Sequence, residues 1–105
     1  MAGANLSGAN LTGASVNRTD LAHSYLAGAN LTGAYLADAN LTGAYLADAN
    51  LTGANLTGAN LTGSYLNRAN LTGASFIDAE LTDADLTGAK LAGANFTGTI
   101  RDVQA

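Results

Sequence analysis

The sequence predicts an all-β solenoid, in which the chain winds into about five square coils of twenty residues each. Three regularities of the 105-residue sequence predict this fold class. A large apolar residue recurs at every fifth position, all 13 glycines occupy one slot of that period, and several residue types return at a spacing of twenty. Repetition at a fixed period is typical of chains that stack one structural unit on the next.

The apolar series runs from Leu6 to Phe96 and defines the repeat. It contains nineteen residues, of which sixteen are Leu and the others are Val16, Phe76 and Phe96. The residue two positions before each member is Ala, Ser or Thr, and the residue two positions after it is Gly, Asp, Arg or His. The consensus is therefore Ala-Asn-Leu-Thr-Gly, in which we expect the Leu and the preceding Ala to face the core.

A five-residue period excludes both regular secondary structures. On an α-helix, five residues advance by about 140° beyond a full turn, so the leucines would cover the whole circumference. On a straight strand, an odd spacing would place successive leucines on opposite faces. The pattern fits only if the chain turns between successive leucines, with Thr-Gly at the corner, because Gly accepts backbone angles that other residues avoid.

Recurrence at twenty residues indicates that four corners close one coil. Asp and Arg fall one coil apart twice, as Arg18 with Asp38 and as Asp48 with Arg68. We expect both to be exposed ion pairs, which mark the register of the stack and contribute little to stability. The other recurrent columns are Tyr25, Tyr45 and Tyr65; Asn10, Asn30, Asn50 and Asn70; Thr12, Thr32, Thr52 and Thr72; and Gly13, Gly33, Gly53, Gly73 and Gly93.

Residues 3–99 resemble the pentapeptide-repeat family, whose motif is Ser/Thr/Ala/Val, then Asp/Asn, Leu/Phe, Ser/Thr/Arg and Gly. The resemblance implies a right-handed quadrilateral β-helix with the Leu or Phe and the preceding Ala inside. Tyr replaces Asn or Asp at positions 25, 35, 45 and 65. Arg101 occupies an expected Leu slot, so we predict a repeat domain at 1–100, a short C-terminal tail at 101–105 and no helical cap.

Composition excludes several classes of function. The absence of Cys excludes disulfides, thiolate metal sites and a cysteine nucleophile. Only 4 Lys and Arg stand against 8 Asp and Glu, which argues against direct binding of nucleic acid. No apolar run approaches the roughly 20 residues that span a bilayer, and no basic-then-apolar leader precedes the repeats. We therefore expect a cytoplasmic protein that binds neither nucleic acid nor membranes and carries no cofactor.

The tyrosine column is the first candidate for a partner-binding surface. Tyr25, Tyr45 and Tyr65 recur at twenty residues, so their rings can stack along the coil axis. Such a stack would either stabilise the solenoid laterally or present an aromatic stripe to a partner, because exposed aromatic residues favour interfaces. The sequence leaves both interpretations open.

An acidic group near the C-terminal end is the second candidate. Half of all acidic residues gather within eight positions, as Asp78, Glu80, Asp83 and Asp85. They are expected to be solvated charge, with an acidic patch for a partner as the alternative. Their spacing does not match a calcium-binding EF-hand loop, and they fall on adjoining faces of the predicted coil. We therefore predict no metal site among them.

No residue is predicted to be catalytic. His23 is the only histidine and precedes Ser24, which raises the question of a nucleophile and its base. The two occupy a corner slot and an inward slot, so we expect their side chains to diverge. Paired carboxylates need a pocket for acid-base chemistry, and a filled solenoid offers none that the sequence reveals.

Two functions follow from this reading. The first is a non-catalytic structural or interaction scaffold, natural or engineered to a consensus, with an unknown protein partner or an end-to-end homodimer. The identical blocks at 34–43 and 44–53 are compatible with recent duplication and with design. The alternative, implied by the family resemblance, is a DNA mimic that binds gyrase or another topoisomerase and protects against quinolones or toxins. Acids aligned in two rows would favour the mimic, whereas scattered acids would favour the scaffold.

Overall fold

The computed structural model describes residues 1–101, which form a β-helix; residues 102–105 are outside this range. Single bridge residues recur at every fifth position from Asn5 to Ile100, and a two-residue turn lies between successive bridges. All 16 bridges are parallel and join residues twenty positions apart, such as Asn30 with Asn50. We call each twenty-residue stretch a rung. Of the tail predicted at 101–105, only Arg101 belongs to the described residues.

Backbone hydrogen bonds between rungs hold the stack together. The N–H of Leu31 donates to the carbonyl of Asn50 at 2.6 Å, and the N–H of Asn50 donates back to Ala29 at 2.9 Å. A third bond joins the corner N–H of Gly33 to the carbonyl of Thr52 at 2.9 Å. The same pattern repeats along the chain. The rungs therefore satisfy one another's backbone groups, as buried backbone requires.

Each corner is a β-turn whose third residue has a positive φ. At one such corner the N–H of Ala54 donates to the carbonyl of Leu51 at 3.0 Å, and Gly53 has a φ of 67°. A positive φ at this position is the feature of a type II turn, and it favours Gly. The non-glycine corners keep the same conformation, with a φ of 61° at Asp48. Residues that replace Gly at a corner therefore adopt the same positive φ as Gly does.

The core consists of the predicted Leu and Ala columns. From Leu21 to Leu81 these side chains are 0–3% exposed, and Phe76 fills one of the same slots at 0% exposure. Phe76 stacks on Phe96 with ring centroids 5.1 Å apart. Exposure rises towards the last rung, where Leu91 is 39% exposed. The guanidinium of Arg101 lies 5.2 Å from the centre of the Phe96 ring, so a cation covers the aromatic face there.

Two serines occupy inward Ala slots and differ in hydrogen bonding. Ser24 and Ser64 are both 0% exposed. The Ser24 hydroxyl donates to the Leu21 carbonyl at 2.7 Å. Within residues 1–101 the Ser64 hydroxyl has no hydrogen-bond partner. An unsatisfied buried hydroxyl costs about 1–3 kcal/mol, so Ser64 is a local weakness of the core.

Replacing each serine by alanine tests this difference. Ser64→Ala removes an unsatisfied polar atom and should raise the free energy of unfolding by about 1 kcal/mol, or Tm by roughly 4–8 °C. Ser24→Ala removes a satisfied hydroxyl and should lower the free energy of unfolding by about 0.5–1 kcal/mol. Thermal and urea unfolding followed by circular dichroism measure both. Equal losses in the two variants would show that Ser64 is bonded in solution as Ser24 is.

Candidate partner-binding surface

Three tyrosine rings form a continuous stack along the axis of the β-helix. The ring centroids of Tyr25 and Tyr45 are 4.9 Å apart with an interplanar angle of 5°, and those of Tyr45 and Tyr65 are 4.9 Å apart with an angle of 1°. Parallel bridges between the same residues set this spacing. Tyr25 is 48% and Tyr65 43% exposed, with Tyr45 half-buried between them. The expected stacking is present, and the stack remains open to solvent. We call these three residues the tyrosine column.

The fourth tyrosine stands alone, half a rung from the tyrosine column. Tyr35 is bridged to Ser15 on one side and to Asn55 on the other. It is 51% exposed, which is close to the exposure of Tyr25. Exposure alone therefore does not distinguish the tyrosine column from Tyr35; the stacking does.

Half of the other bridge slots in residues 1–101 carry an asparagine whose side chain is hydrogen-bonded to a threonine two positions later. The Asn50 side-chain oxygen accepts the Thr52 N–H at 3.1 Å and its hydroxyl at 2.6 Å. The same two bonds join residues 10 and 12, 30 and 32, 40 and 42, 55 and 57, 60 and 62, 70 and 72, and 95 and 97. These short bonds are of the local Asx type that stabilises turns.

Tyrosine slots lack this threonine, and the sequence contains that signal. The residues two positions after the four tyrosines are Ala27, Ala37, Ala47 and Asn67, never Thr. A tyrosine offers no acceptor close to the backbone, so a threonine there would lose its partner. The two slots taken together therefore distinguish tyrosine slots from asparagine slots. The Asn–Thr pairing is not among the features predicted from the sequence above.

An ion pair flanks the tyrosine column at the following corner. Arg68 donates through Nε to Asp48 Oδ1 at 3.0 Å and through Nη2 to Oδ2 at 2.9 Å. Both side chains are exposed, at 61% for Arg68 and 57% for Asp48. These hydrogen bonds, donated by Arg68 and accepted by Asp48, lower the pKa of the Asp48 carboxyl and raise the pKa of Arg68. The predicted pairing of Asp48 with Arg68 is confirmed.

The prediction of a matching Arg18–Asp38 pair is wrong. Within residues 1–101 no ion pair joins Arg18 to Asp38, in contrast to Arg68 and Asp48. Asp38 instead leans toward the next rung, where a Cβ atom on Gly58 would collide with its Oδ1. Because this corner aspartate leans toward higher residue numbers, it points away from an arginine on the preceding rung.

The four acidic candidates do not converge on one site. Glu80 is bridged to Asn60, and the Thr62 hydroxyl lies 3.3 Å from its Oε2. Asp85 extends the tyrosine column, because a parallel bridge joins it to Tyr65. Asp78 and Asp83 are both corner residues, on different edges of the β-helix, with φ of 58° and 60°.

Asp85 is held in place by the residue two positions later. Its carboxylate accepts the Thr87 N–H at 3.0 Å. Hydrogen bonds from the Thr87 hydroxyl and N–H lower the pKa of Asp85. No three His, Asp or Glu side chains of residues 1–101 gather closely enough to hold a metal ion. The acids are thus dispersed over the surface and do not share one site.

Acidic residues are scattered along the β-helix and do not form rows. Asp38 and Asp78 share one corner column, and Asp20 and Glu80 share one bridge column. Asp48, Asp83 and Asp85 are each the only acid of their columns in the part of the chain that the structure describes. No column therefore contains more than two acids. Residues 1–101 also include no helix that is long and apolar enough to span a bilayer.

The fold and surface define a class of protein, a β-helix built from five-residue repeats with a non-polar interior. The family model for pentapeptide repeats matches the chain with 8 copies, over residues 4–43, 24–63 and 64–100. The chain therefore belongs to the pentapeptide repeat family. No match was found among curated proteins.

Solved structures of the same family are similar to this chain. Rfr23, a pentapeptide repeat protein from the cyanobacterium Cyanothece 51142, is 29% identical with a TM-score of 0.86, over 97% of this chain and 86% of Rfr23. A pentapeptide repeat protein of the Arabidopsis thaliana thylakoid lumen is 37% identical with a TM-score of 0.57. That match covers 92% of this chain but 64% of the Arabidopsis protein, so the chain spans less than two thirds of its length.

A third solved structure is too distant from this chain to indicate its function. QnrB1, a plasmid-mediated fluoroquinolone resistance protein, is 16% identical with a TM-score of 0.42, over 90% of this chain and 58% of QnrB1. Identity and structural agreement at this level do not transfer a role. Rfr23 and the Arabidopsis protein support the right-handed β-helix expected of the family.

Removing Arg68 should raise the pKa of the Asp48 carboxyl. In Arg68→Gln the hydrogen-bonded guanidinium is lost, so the NMR titration midpoint of Asp48 should move up toward its ordinary value of 3.8. Arg18→Gln is the control, because Arg18 pairs with no carboxylate within residues 1–101. An unchanged Asp48 midpoint in Arg68→Gln would contradict the bidentate pair.

The sign of the pH dependence follows from the same shift. The folded-state pKa of Asp48 lies below the unfolded value, so the pair stabilises the fold fully above about pH 4. That contribution is lost as pH falls through the lowered folded-state pKa. The difference in unfolding free energy between the unmodified chain and Arg68→Gln should therefore shrink on acidification.

Proposed function

We propose that the protein is a non-catalytic interaction scaffold, a right-handed quadrilateral β-helix of about five coils that presents the tyrosine column to another protein. The observation that carries the proposal is the exposed stack of Tyr25, Tyr45 and Tyr65 on a solid, apolar core. Aromatic residues dominate the energetics of many protein interfaces, and tyrosine is enriched among their strongest contacts.

Pre-ordering makes the tyrosine column better suited to binding than isolated tyrosines. Each ring is fixed by a neighbour 4.9 Å away, so little side-chain freedom remains to be lost when a partner binds. Stacking between such rings contributes about 0.5–1.5 kcal/mol beyond burial. The same contacts that stabilise the rungs therefore also prepare the surface, so the two interpretations of the column are compatible.

The arrangement of the other polar groups supports a non-catalytic role. From Leu21 to Leu81 the inward slots are filled by Leu, Ala and Phe side chains and by two serines, Ser24 and Ser64, so the charged groups are exposed and separated. His23 lies at a corner, and a Cβ on Gly43 would collide with its ring, whereas Ser24 is buried and bonded to Leu21. A nucleophile and its base must lie within hydrogen-bond reach, and this pair points apart.

The distribution of acids favours the scaffold over a DNA mimic. A rod that imitates duplex DNA needs regular rows of negative charge, since phosphates are spaced regularly along both strands. Here the only shared acid columns are Asp38 with Asp78, two rungs apart, and Asp20 with Glu80, three rungs apart. The net charge of −4 is consistent with a soluble rod and does not require such a role.

Affinity capture with matched variants tests the scaffold. The triple variant Tyr25→Asn, Tyr45→Asn, Tyr65→Asn places the consensus residue in each slot and should keep the circular dichroism of the unmodified chain. Proteins from a bacterial lysate that the unmodified chain and Tyr35→Asn retain should be depleted about tenfold on the triple variant. Capture profiles that do not distinguish the three proteins would contradict a role for the tyrosine column.

A gyrase supercoiling assay tests the alternative. Purified protein titrated to tens of micromolar, with and without a fluoroquinolone, should neither inhibit supercoiling nor protect the enzyme, because the acids form no rows. A gyrase reaction with short competitor duplex DNA serves as the positive control. Inhibition or protection at low micromolar protein would overturn the scaffold proposal in favour of the mimic.

A further inference from the structure

The side of the β-helix that carries the tyrosine column is bounded by two corner columns, each of which contains both glycines and larger side chains. We call this the tyrosine side; along its middle it presents Asn5, Tyr25, Tyr45, Tyr65 and Asp85. The corner column on its leading margin is Gly3, His23, Gly43, Gly63 and Asp83. The corner column on its trailing margin is Gly8, Gly28, Asp48, Arg68 and Gly88. On every rung, at least one of the two margins is Gly.

Side chains at these margins stand above the glycine positions. The His23 ring covers Gly43 so closely that a Cβ on Gly43 would lie 2.5 Å from its Nδ1. The Arg68 side chain similarly covers Gly88, with Cγ 3.3 Å from an ideal Cβ there. Beside Gly28 and Gly63 a Cβ would meet nothing within 4 Å. Each margin therefore carries both projecting side chains and open glycine positions.

The surface between the margins is flat over the tyrosine column. The ring planes deviate by only 5° and 1° from rung to rung, so the rungs rotate little relative to one another. A flat side can contact another flat side along its full length, whereas a twisted one would diverge after a few rungs.

We propose that the tyrosine side binds a second copy of this chain, antiparallel, across a two-fold axis that passes beside Tyr45. The inference rests on the proposed function, in which the tyrosine column binds protein, and it names the partner. An isologous contact requires a self-complementary surface, because each residue meets the symmetry-related position of the same patch. The tyrosine side meets this requirement.

Reversing the order of the rungs brings projections opposite glycines. His23 then faces Gly63 of the second copy, and Arg68 faces Gly28 of the second copy. Asp48 faces its own equivalent near the axis, but Arg68 already binds each of these carboxylates through two hydrogen bonds. No two projecting side chains of uncompensated like charge meet.

Charge selects the antiparallel order over the parallel one. In a parallel pair, Asp85 would face Asp85 of the second copy at the middle of the interface, and like charges directly opposed are costly. In the antiparallel pair, Asp85 faces Asn5, whose amide can donate to the carboxylate. Tyr25 of one copy then contacts Tyr65 of the other, which extends the aromatic surface across the axis.

The area available matches a reversible dimer. The molecule measures 31 × 24 × 23 Å, so one side offers at most roughly 700 Å² per copy, slightly below the standard size of a specific interface. We therefore expect a dimer dissociation constant in the micromolar range, so that the fraction of dimer depends on protein concentration.

Sedimentation equilibrium of the purified chain tests self-association with matched variants. The triple variant Tyr25→Asn, Tyr45→Asn, Tyr65→Asn should raise the dimer dissociation constant about tenfold or more, whereas Tyr35→Asn should leave it unchanged. Tyr35 is the appropriate control because it is equally exposed and lies half a rung away. Association that is unaffected by the triple variant, as expected for end-to-end pairing, would overturn the proposal.

A charge placed on the trailing margin tests the predicted facing residues. Gly28→Arg puts a cation opposite Arg68 of the second copy and should also weaken the dimer about tenfold. Gly33→Arg is the control at a corner away from the tyrosine side. Both glycines have open space, with φ of 68° and 65°, and the chain already holds arginine in this conformation at Arg18 and Arg68. Equal effects of the two substitutions would contradict the interface.

Cross-linking tests the orientation. Because the chain has no Cys, single cysteines can be labelled without background. With a short bismaleimide, a mixture of Asn5→Cys and Asp85→Cys should form the cross-linked dimer, and Asp85→Cys alone should not. Efficient cross-linking of Asp85→Cys to itself would overturn the antiparallel arrangement.

These results separate the inference from the proposed function. A chain that stays monomeric at high micromolar concentration overturns the inference, even if capture of another protein through the tyrosine column upholds the scaffold. A dimer that depends on the tyrosine column supports the inference. Loss of both self-association and capture would overturn both proposals.

Discussion

A positive φ at every fifth residue is the constraint on which this structure depends. It bends the chain sharply enough for residues twenty positions apart to form parallel bridges. Gly adopts this conformation at little cost, and the chain supplies it at most corners. Where Asp, Arg or His replaces Gly, hydrogen bonds between rungs hold the same angle, as at Asp48. The positive φ of the corner thus comes from the conformational freedom of Gly at most positions and from hydrogen bonds between rungs at the others.

The bridging register converts a linear pattern into columns of like residues. Leu and Ala point inward and exclude water over the middle of the chain, while the outward slots align in columns, of which Tyr25, Tyr45 and Tyr65 stack on one another. The outward bridge slot is occupied in two ways: the asparagines form local hydrogen bonds with the threonine of the turn, and the tyrosines of the column stack on one another. Because each rung contacts only its neighbours, a feature on the surface extends only as far as its column does.

Much of the fold was predictable from the sequence, because the apolar period and the glycine slot report directly on turning and burial. The tyrosine stacking was predictable for the same reason. The direction of a side chain within a column was not. Arg18 and Asp38 have the spacing of an ion pair, but Asp38 leans toward the rung that lies away from Arg18. The unsatisfied hydroxyl of Ser64 was not predictable either, because the sequence shows only that a small residue occupies this inward slot and not whether its hydroxyl is hydrogen-bonded.

The register also gives identical sequences different surroundings. Residues 34–43 repeat letter for letter as 44–53, and their ten residues cover half a rung. Tyr35 is therefore isolated while Tyr45 stands in a stack, and Asp38 covers a glycine while Asp48 binds an arginine. An insertion or deletion of twenty residues would lengthen or shorten the rod and preserve its surfaces. A change of ten residues would instead transfer every later side chain to another side, which allows a short duplication to create a new surface without any substitution.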